Sequence, residues 1–318
     1  MAEEKPFFAV NFPADSSGCN FYRMLAPRLA VQSMASNLNF TETSRFIADP
    51  NWFNDVNLCH LQRQVSDVQA EYYTKFIVPL SQQNGMWVVY NIDDAIGMDD
   101  IPKYNSAWEA YQNPQLMKNV SVMMQQSDFI VVTTEYLRNY YITKFGADPD
   151  SVLVIPNYLP KWWMGQYYDL AHRMQLYDRY KKRPRLGIIA SSTHFDVHNV
   201  NGGQDDFTHV IDFIKKTTKK YEWVFVGCVP QQLQPELNSG KITYTGGMNI
   251  MNYPDLIGSL DCQAFVQPLE HNEFNRCKSN IKFLEACAMG TPLIAQRMNI
   301  YEPYTDLLFD DTEELDYL

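Results

Sequence analysis

Short apolar runs alternate with segments of helical periodicity along almost the whole chain, and this alternation constrains the fold more than any other feature. An apolar run of about four to eight residues is typical of a buried strand, whereas apolar residues three or four apart indicate a helix. Strands that alternate with helices form parallel, doubly wound sheets, so the sequence predicts an α/β protein. In the first half, strands are predicted at Phe7–Phe12, Asn57–Gln62, Met86–Ile92, Asp128–Thr133 and Val152–Pro156, and helices at Ser17–Ser36, Val68–Gln82, Asn113–Gln126 and Glu135–Phe145.

The second half repeats the pattern, and 318 residues suit two domains that each bury a core. We predict a first domain over residues 1–165, a connection over 166–184, a second domain over 185–300 and an acidic segment over 301–318. Asp169–Lys181 is a candidate helix within the connection. Two Rossmann-like units leave a cleft at the carboxyl ends of their sheets, where such sheets bind ligands. Further strands are predicted at Leu186–Ala190, Trp223–Gly227, Ile242–Thr245, Cys262–Gln267 and Pro292–Ala295, and helices at Asp205–Lys219, Tyr253–Ser259 and Asn280–Met289.

The charge balance is acidic, with 26 Lys and Arg against 37 Asp and Glu and a net charge of −11. This balance provides no general attraction to nucleic acid or to anionic membranes. No apolar run approaches the roughly 20 residues that span a bilayer, and the first residues, which carry two acids and no long apolar core, predict no signal peptide. The six cysteines are scattered without a CxxC pair, which is typical of a reducing compartment. We therefore predict a soluble cytoplasmic protein, in the host cytoplasm if the chain is viral, with no membrane partner.

The segment Phe274–Pro292 has the strongest indication of a binding site. Ser279 is a good N-cap and Gly290 a good stop for one short helix. Lys278 precedes the helix start, where unpaired N–H groups and the positive end of the helix dipole favour a phosphate. Glu285 lies farther along the helix, at a spacing that matches the span from pyrophosphate to ribose, and its carboxylate can accept from sugar hydroxyls. The alternative is a capped amphipathic helix with a surface Lys and a surface Glu.

The same segment resembles the donor-site motif of glycosyltransferases of the GT-B fold, in the retaining, glycogen-synthase-like group. The resemblance implies two Rossmann-like, doubly wound domains facing across a cleft, and a nucleotide-sugar donor, for which we expect a UDP-sugar. In the group's E-x7-E motif the second Glu binds the ribose and falls on Glu285. The first falls on Cys277, a departure at which Asn275 or Lys278 is expected to substitute. The matching positions are Lys278, Ser279, Lys282, Glu285, Gly290 and Pro292.

Other segments resemble the phage-type branch of these enzymes. Gly18 would let the backbone approach a ligand closely and Arg23 would point at a phosphate, the alternative being a tight turn with a solvated Arg. The resemblance also places Ser192, His194 and Asn280 in the donor site. The segments that carry the resemblance are Gly18–Arg23, Trp87–Asp94, Thr133–Leu137, Val154–Asn157 and Gly187–His194.

Asp93 and Asp94 follow a predicted strand at its carboxyl end and are the candidate catalytic residues. Adjacent residues of a strand point to opposite faces, so at most one of the two faces the cleft comfortably. A carboxylate there takes a proton from the acceptor hydroxyl in an inverting displacement, or orients the acceptor or the sugar in a retaining reaction. The resemblance favours retention. The alternative is that the two acids cap a helix or a turn.

We predict no obligatory metal. The paired acids Asp93-Asp94 and Asp99-Asp100 lack the D-x-D spacing, and GT-B enzymes generally stabilise the leaving nucleoside diphosphate with helix dipoles and basic side chains. His194 and His198 are four residues apart, but the glycines and asparagines that follow predict a loop rather than a zinc-binding helix.

The acceptor is predicted from the resemblance, because the phage-type branch includes transferases that act on hydroxymethylated pyrimidines of viral DNA. A glucosyl- or arabinosyltransferase for 5-hydroxymethylcytosine in double-stranded DNA needs a basic face and access to an extruded base. Lys161–Arg185 holds seven basic and two acidic residues, and Trp162, Trp163, Tyr167 and Tyr168 are interleaved for stacking. The alternative is an interdomain hinge with a solvated basic face.

Three other functions remain open. The acceptor of a transferase would instead be a protein, a glycan or a lipid-linked sugar. The same fold also serves sugar-nucleotide epimerases, and a non-catalytic nucleotide-sugar binding protein is the third alternative. The chain ends at Leu318, whereas the family usually continues with further helices, so we expect a chain that is short by nature or truncated. The sugar, the anomeric outcome and the oligomeric state are not specified by the sequence.

Overall fold

The structure is a computed structural model that describes residues 5–35, 37–163 and 169–318. The predicted boundary between residues 165 and 166 lies outside the described residues, as do Tyr167 and Tyr168. The chain forms two compact units, each with a sheet of its own. The first unit comprises Met1–Asp99, Ala110–Pro160 and Cys277–Ser279, and the second comprises Asp100–Glu109, Lys161–Arg276 and Asn280–Leu318.

The first unit is built on a parallel sheet whose strands are β1 (Phe7–Phe12), β2 (Leu38–Glu42), β3 (Leu58–Gln62), β4 (Trp87–Asn91), β5 (Phe129–Val132) and β6 (Val152–Val154). Their order across the sheet is β2-β1-β3-β4-β5-β6, and every neighbouring pair is parallel. The sequence predicts all of these strands except β2. That strand lies at the sheet edge and its residues alternate between half-buried and exposed, so it lacks a continuous apolar run.

The predicted helices of the first unit are confirmed, with two of them interrupted by π-helical turns. Capping side chains begin three helices, since Ser66, Asn113 and Thr134 each accept from a backbone N–H of the first turn. The α- and π-helical elements up to residue 145 are α1 (Gly18–Asn20), a π-turn (Phe21–Leu25), α2 (Ala26–Met34), α3 (Asp67–Tyr72), a second π-turn (Tyr73–Ile77), α4 (Val78–Asn84), α5 (Trp108–Tyr111), α6 (Pro114–Gln125) and α7 (Glu135–Phe145).

The second unit also has a parallel six-stranded sheet, made of β7 (Arg185–Ala190), β8 (Glu222–Gly227), β9 (Thr243–Gly246), β10 (Ala264–Gln267), β11 (Leu293–Gln296) and β12 (Leu308–Phe309). The order is β12-β11-β10-β7-β8-β9, and neighbouring strands are again parallel. Its helices are α8 (Leu170–Tyr180), α9 (Ile211–Thr217), α10 (Gln234–Asn238), α11 (Tyr253–Gly258), α12 (Glu273–Arg276), α13 (Ile281–Ala288) and α14 (Thr312–Tyr317).

The core of the second unit is aromatic. Trp223 and Phe225 on β8 are fully buried and pack with Phe195, Phe207 and Phe309. A side chain at Gly227, where β8 ends, would place its Cβ 2.5 Å from the carbonyl oxygen of Ala190, so the close approach of β7 and β8 requires glycine there.

Two predictions for the second unit need correction. The predicted helix Asp205–Lys219 begins only at Ile211, because the Asp205 carboxylate accepts from the backbone N–H groups of Asp196 and Phe207 and holds a loop. The acidic segment 301–318 carries structure that the sequence did not predict. It contributes β12, with Phe309 fully buried, and α14, which Asp311 caps.

No helix among residues 5–35, 37–163 and 169–318 is long and apolar enough to cross a membrane.

His60 on β3 makes the stability of the first unit depend on pH. Burial, with Arg23 as a second cause, lowers the pKa of His60 from 6.5 to about 4. Between pH 6.5 and pH 4, His60 is therefore protonated in the unfolded chain but stays neutral in the folded chain. We expect the contribution of His60 to the free energy of unfolding to have its full value above pH 6.5. The free energy of unfolding is then expected to fall by about 2–3 kcal/mol as the pH drops from 6.5 to 4.

Urea unfolding at pH 7, 5.5 and 4.5 measures this loss. A His60→Asn variant is expected to show a flatter dependence on pH, and a variant of the exposed His198, His198→Asn, to follow the wild type. Parallel curves for the wild type and the His60 variant would show that His60 does not titrate in this way.

Candidate functional site

Polar residues follow three neighbouring strands of the first sheet. Asp15 comes after β1, Arg63 directly after β3, and Asp93 and Asp94 after β4. Parallel strands end at the same sheet edge, where ligands of open α/β sheets bind. Arg63 is the centre of this acidic cluster, since its Nη1 lies 2.5 Å from Asp94 Oδ2 and 3.7 Å from Asp93 Oδ1, and its Nη2 lies 3.4 Å from Asp15 Oδ2. The sequence predicts the two adjacent acids but not Arg63 or Asp15.

The backbone of Arg63 has a φ of 42°, in the left-handed region that residues other than glycine rarely adopt. Its N–H donates to the carbonyl of Asn91, 2.8 Å away, so the turn is tied to the end of β4. Backbone of this kind costs about 1–3 kcal/mol and is concentrated at functional sites. Nothing in the local sequence, Gln62-Arg63-Gln64, indicates the turn.

The two candidate catalytic acids differ in environment. The Asp94 side chain is 32% exposed and Asp93 only 13%. The Tyr111 hydroxyl donates to Asp94 Oδ2 at 2.7 Å, so Tyr111 and Arg63 together fix that carboxylate. Burial and the neighbouring Asp94 raise the pKa of Asp93, and Arg63 opposes the rise. Asp94 is thus the more accessible and the better oriented of the pair.

A chain of hydrogen bonds in the first unit joins three of the segments that carry the family resemblance. Arg23 is buried and donates from Nη1 to the Ile155 carbonyl and to Asn157 Oδ1, at 2.8 and 3.0 Å. The Asn157 amide then donates to Ser279 Oγ at 2.8 Å. Arg23 Nε also donates to Asn91 Oδ1 at 3.2 Å, so the guanidinium has three internal partners, and its predicted contact with a phosphate stays a prediction.

The prediction that Ser279 caps the following helix is wrong. Asn280 occupies the N-cap position of α13 without a side-chain cap bond, and the Ser279 hydroxyl accepts from Asn157. Gly290 is confirmed as the stop, because it follows α13 with a φ of 62°. Lys278 is half-buried and stands next to the buried Cys277.

In the second unit, the predicted donor residues His194 and Asn275 meet on one buried carboxylate, Asp206. Nδ1 of His194 lies 2.7 Å from Asp206 Oδ2, and the Asn275 amide donates to Asp206 Oδ1 at 2.7 Å. Oδ1 also accepts from the Tyr104 hydroxyl and from the backbone N–H of Glu270, each at 2.8 Å. The sequence misses Asp206 and Tyr104, because Asp206 falls in a segment predicted as the start of a helix.

Glu285 on α13 is 3% exposed. Its Oε2 accepts from Lys282 Nζ at 2.9 Å and from the Tyr253 hydroxyl at 3.0 Å. Burial raises the pKa of Tyr253, and the adjacent Glu285 raises it further. The alternative of a surface Glu on an amphipathic helix is therefore wrong for Glu285, whose carboxylate is held in a fixed orientation.

No protein-family model matches the chain, and no curated protein matches it either. Solved structures do. HepE of Anabaena in complex with UDP has a TM-score of 0.61 at 10% identity, over 98% of this chain and 88% of that chain. A glycosyltransferase of Rickettsia africae has a TM-score of 0.58 at 10% identity, over 98% of this chain and 88% of that chain. UDP-GlcNAc 2-epimerase of Methanocaldococcus jannaschii has a TM-score of 0.51 at 10% identity, over 99% of this chain and 91% of that chain.

The chain has the GT-B fold. The predicted fold class, two Rossmann-like doubly wound sheets, is thereby confirmed. Because these neighbours include both a glycosyltransferase and an epimerase, the activity of this GT-B chain has to be argued from its residues.

Two other predicted site residues, Gly18 and Ser192, are not held by specific side-chain packing. A Cβ added at Gly18 would have as its nearest neighbour the Tyr22 ring at 3.8 Å, so packing does not require glycine at the start of α1. Ser192 is exposed in a short 3₁₀ turn that ends at His194, and His198 lies in a loop, as predicted. Among the residues that the structure describes, no group of three or more His, Cys, Asp or Glu is placed to hold a metal ion.

The basic segment Lys161–Arg185 has mainly structural contacts. Trp163 is fully buried, so the prediction that its ring stacks on a base is wrong. Arg173 donates to the carbonyls of Cys262 and Gln263, and Arg185 donates to Leu260 and pairs with Glu222. The candidate helix Asp169–Lys181 is confirmed as α8. Trp162, Lys181 and Lys182 are exposed.

Proposed function

We propose that the chain is a glycosyltransferase that moves a sugar from a UDP-sugar to an acceptor hydroxyl. The observation that supports this most is the buried, oriented carboxylate of Glu285, at the position that the resemblance assigns to ribose binding. Burying a carboxylate is costly unless it is hydrogen-bonded, and Lys282 and Tyr253 supply that stabilisation here. The fold agrees, since structures of HepE are in complex with UDP and with UDP-glucose.

In this proposal Glu285, His194 and Asn275 bind the nucleotide, and Lys278 neutralises the diphosphate. Asp94 serves the acceptor. In an inverting displacement its carboxylate takes the acceptor proton while the new glycosidic bond forms and the bond to UDP breaks. In a retaining reaction it orients the acceptor, and the leaving phosphate takes the proton. We favour retention from the resemblance alone.

The acceptor that we propose is the hydroxyl of 5-hydroxymethylcytosine in double-stranded DNA. It rests on the resemblance to the phage-type branch and on the exposed Trp162, Lys181 and Lys182 of the basic segment. A protein or glycan acceptor is the competing proposal, because the arginines of that segment are largely engaged within the second unit. We place the enzyme in the cytoplasm, since all six cysteines are free thiols.

The test is incubation of the protein with UDP-glucose and other UDP-sugars, with and without hydroxymethylcytosine DNA. We expect UDP to be released, and released faster with the modified DNA than with unmodified DNA of the same sequence. UDP release that responds to a glycan or peptide instead supports a transferase with another acceptor. UDP binding without turnover under any condition contradicts the transferase.

An epimerase is the second candidate, favoured by the likeness to UDP-GlcNAc 2-epimerase. The same incubations distinguish it, because an epimerase interconverts UDP-sugars when no acceptor is present. Chromatography of the nucleotide-sugars after reaction without DNA would show a second UDP-sugar, and no free UDP as final product.

A further inference from the structure

The second unit contains a buried carboxylate that the donor motif does not account for. Asp206 is fully buried, just before α9, and accepts four hydrogen bonds of 2.7–2.8 Å. Burial of a carboxylate without hydrogen-bond partners is strongly unfavourable. A buried carboxylate is therefore expected only where hydrogen bonds compensate for its lost hydration or where function requires it.

The donors to Asp206 come from separate parts of the chain. His194 lies in the loop after β7, and the Glu270 N–H lies in the loop after β10. These two strands are neighbours in the sheet, so both loops leave the same edge. Asn275 belongs to α12, immediately before the Lys278 segment. Asp206 therefore connects the first loop of this sheet to the segment in which the donor motif lies.

The hydrogen bond from His194 also determines its tautomer. A carboxylate only accepts, so Nδ1 of His194 carries a proton and Nε2, across the ring, is directed away from Asp206. A carboxylate at Nδ1 also stabilises the ring when Nε2 takes a second proton. In that form Nε2 donates to an anion. Asn275 does not donate to the same anion, because its amide nitrogen donates to Asp206 Oδ1 at 2.7 Å and to the Glu270 carbonyl at 2.9 Å.

We propose that Asp206 is a positioning residue for the diphosphate of the donor. It acts through His194, whose Nε2 it directs to a phosphate oxygen. This inference rests on the proposed function, because it takes UDP as the ligand.

The test compares Asp206→Asn with a matched control, Asp196→Asn. Asp196 is also a buried carboxylate of the loop before α9, but it accepts from the backbone N–H groups of Val200, Asn201 and Gly203. We expect Asp206→Asn to weaken UDP binding in calorimetry by about 10- to 100-fold, and Asp196→Asn to lower thermal stability with UDP affinity close to wild type. Equal UDP affinity of the two folded variants would overturn the proposal.

A double-mutant cycle with His194→Ala tests whether the effect passes through the imidazole. We expect Asp206→Asn to cost much less UDP affinity in the His194→Ala background than in the wild type. Fully additive losses would contradict a role through His194.

Nitrogen-15 NMR of the wild-type protein examines the same inference without a substitution. We expect the His194 ring to be protonated at Nδ1, with a change in the Nε2 signal when UDP is added. A ring protonated only at Nε2 overturns the inference even if UDP binds. Absence of UDP binding by the wild type contradicts the proposed function instead, so the two failures are distinguishable.

Discussion

Replacement of Asp94 by Asn is expected to lower kcat for sugar transfer by about 10²- to 10⁴-fold, with UDP affinity unchanged. The substitution keeps the size of the side chain and one acceptor oxygen, but it removes the charge that orients the acceptor in a retaining reaction and the ability to take a proton in an inverting one. Asp94 is the more exposed of the paired acids, and Arg63 and Tyr111 fix its carboxylate. Steady-state kinetics of UDP release, together with calorimetry for UDP, separates the two effects.

Asp99→Asn is the matched control for this prediction. Asp99 follows the same strand but is highly exposed, and its carboxylate pairs with Lys144 at 3.3 Å. We expect its kcat to stay near that of the wild type. If the Asp94→Asn enzyme were as active as Asp99→Asn, Asp94 would have no role in the reaction. If Asp94→Asn lost UDP affinity to the same extent as kcat, Asp94 would instead contact the donor.

The alternation of apolar runs was sufficient to predict most of the fold, because a parallel strand buried on both faces is a continuous apolar run. The strands that escaped prediction are at sheet edges. Of these, β2 alternates between half-buried and exposed residues, and β12 is only two residues long within an acidic segment. Edge strands bury less surface and carry less apolar sequence, so the pattern that identifies a central strand is absent from them.

Site residues that belong to one short segment could be predicted from the sequence. Site residues that come from distant segments could not. Lys278 and Glu285 belong to one motif, and Asp93 and Asp94 to one strand end. The partners that orient these groups come from far along the chain, since Arg63 is 31 residues from Asp94, and Tyr104 is 102 residues from Asp206. Only the sheet topology, which brings the carboxyl ends of β1, β3 and β4 to one edge, places Asp15 and Arg63 with the predicted acids.

The acidity of the chain also has a local explanation. Several acids of the segment 301–318 pair with basic side chains of the second unit. Asp316 lies 2.6 Å from Lys220, and Asp310 lies 2.7 Å from Arg297. The segment holds seven acids and no Lys or Arg, so −7 of the net −11 lies there and only −4 in the rest of the chain, and the net charge is weak evidence against a polyanionic acceptor.

Replacement of Lys278 by Ala is expected to weaken UDP binding by about 30- to 100-fold and to leave uridine binding unchanged. Lys278 is the cation that the motif assigns to the diphosphate, and a charge-assisted hydrogen bond to phosphate is worth about 1.5–3 kcal/mol. Uridine has no phosphate, so its affinity does not depend on the lysine charge. Calorimetry with UDP and with uridine measures both, and the difference between wild type and variant should shrink as salt is raised.

Two further variants make this prediction specific. Lys241→Ala removes an exposed lysine between α10 and β9 and is expected to bind both ligands like the wild type. Glu285→Gln is expected to weaken UDP and uridine alike, because both carry the ribose that Glu285 is proposed to bind. Equal loss of UDP and uridine affinity in Lys278→Ala would contradict a phosphate contact. In that case the lysine would act on the shape of the site rather than on the charge of the donor.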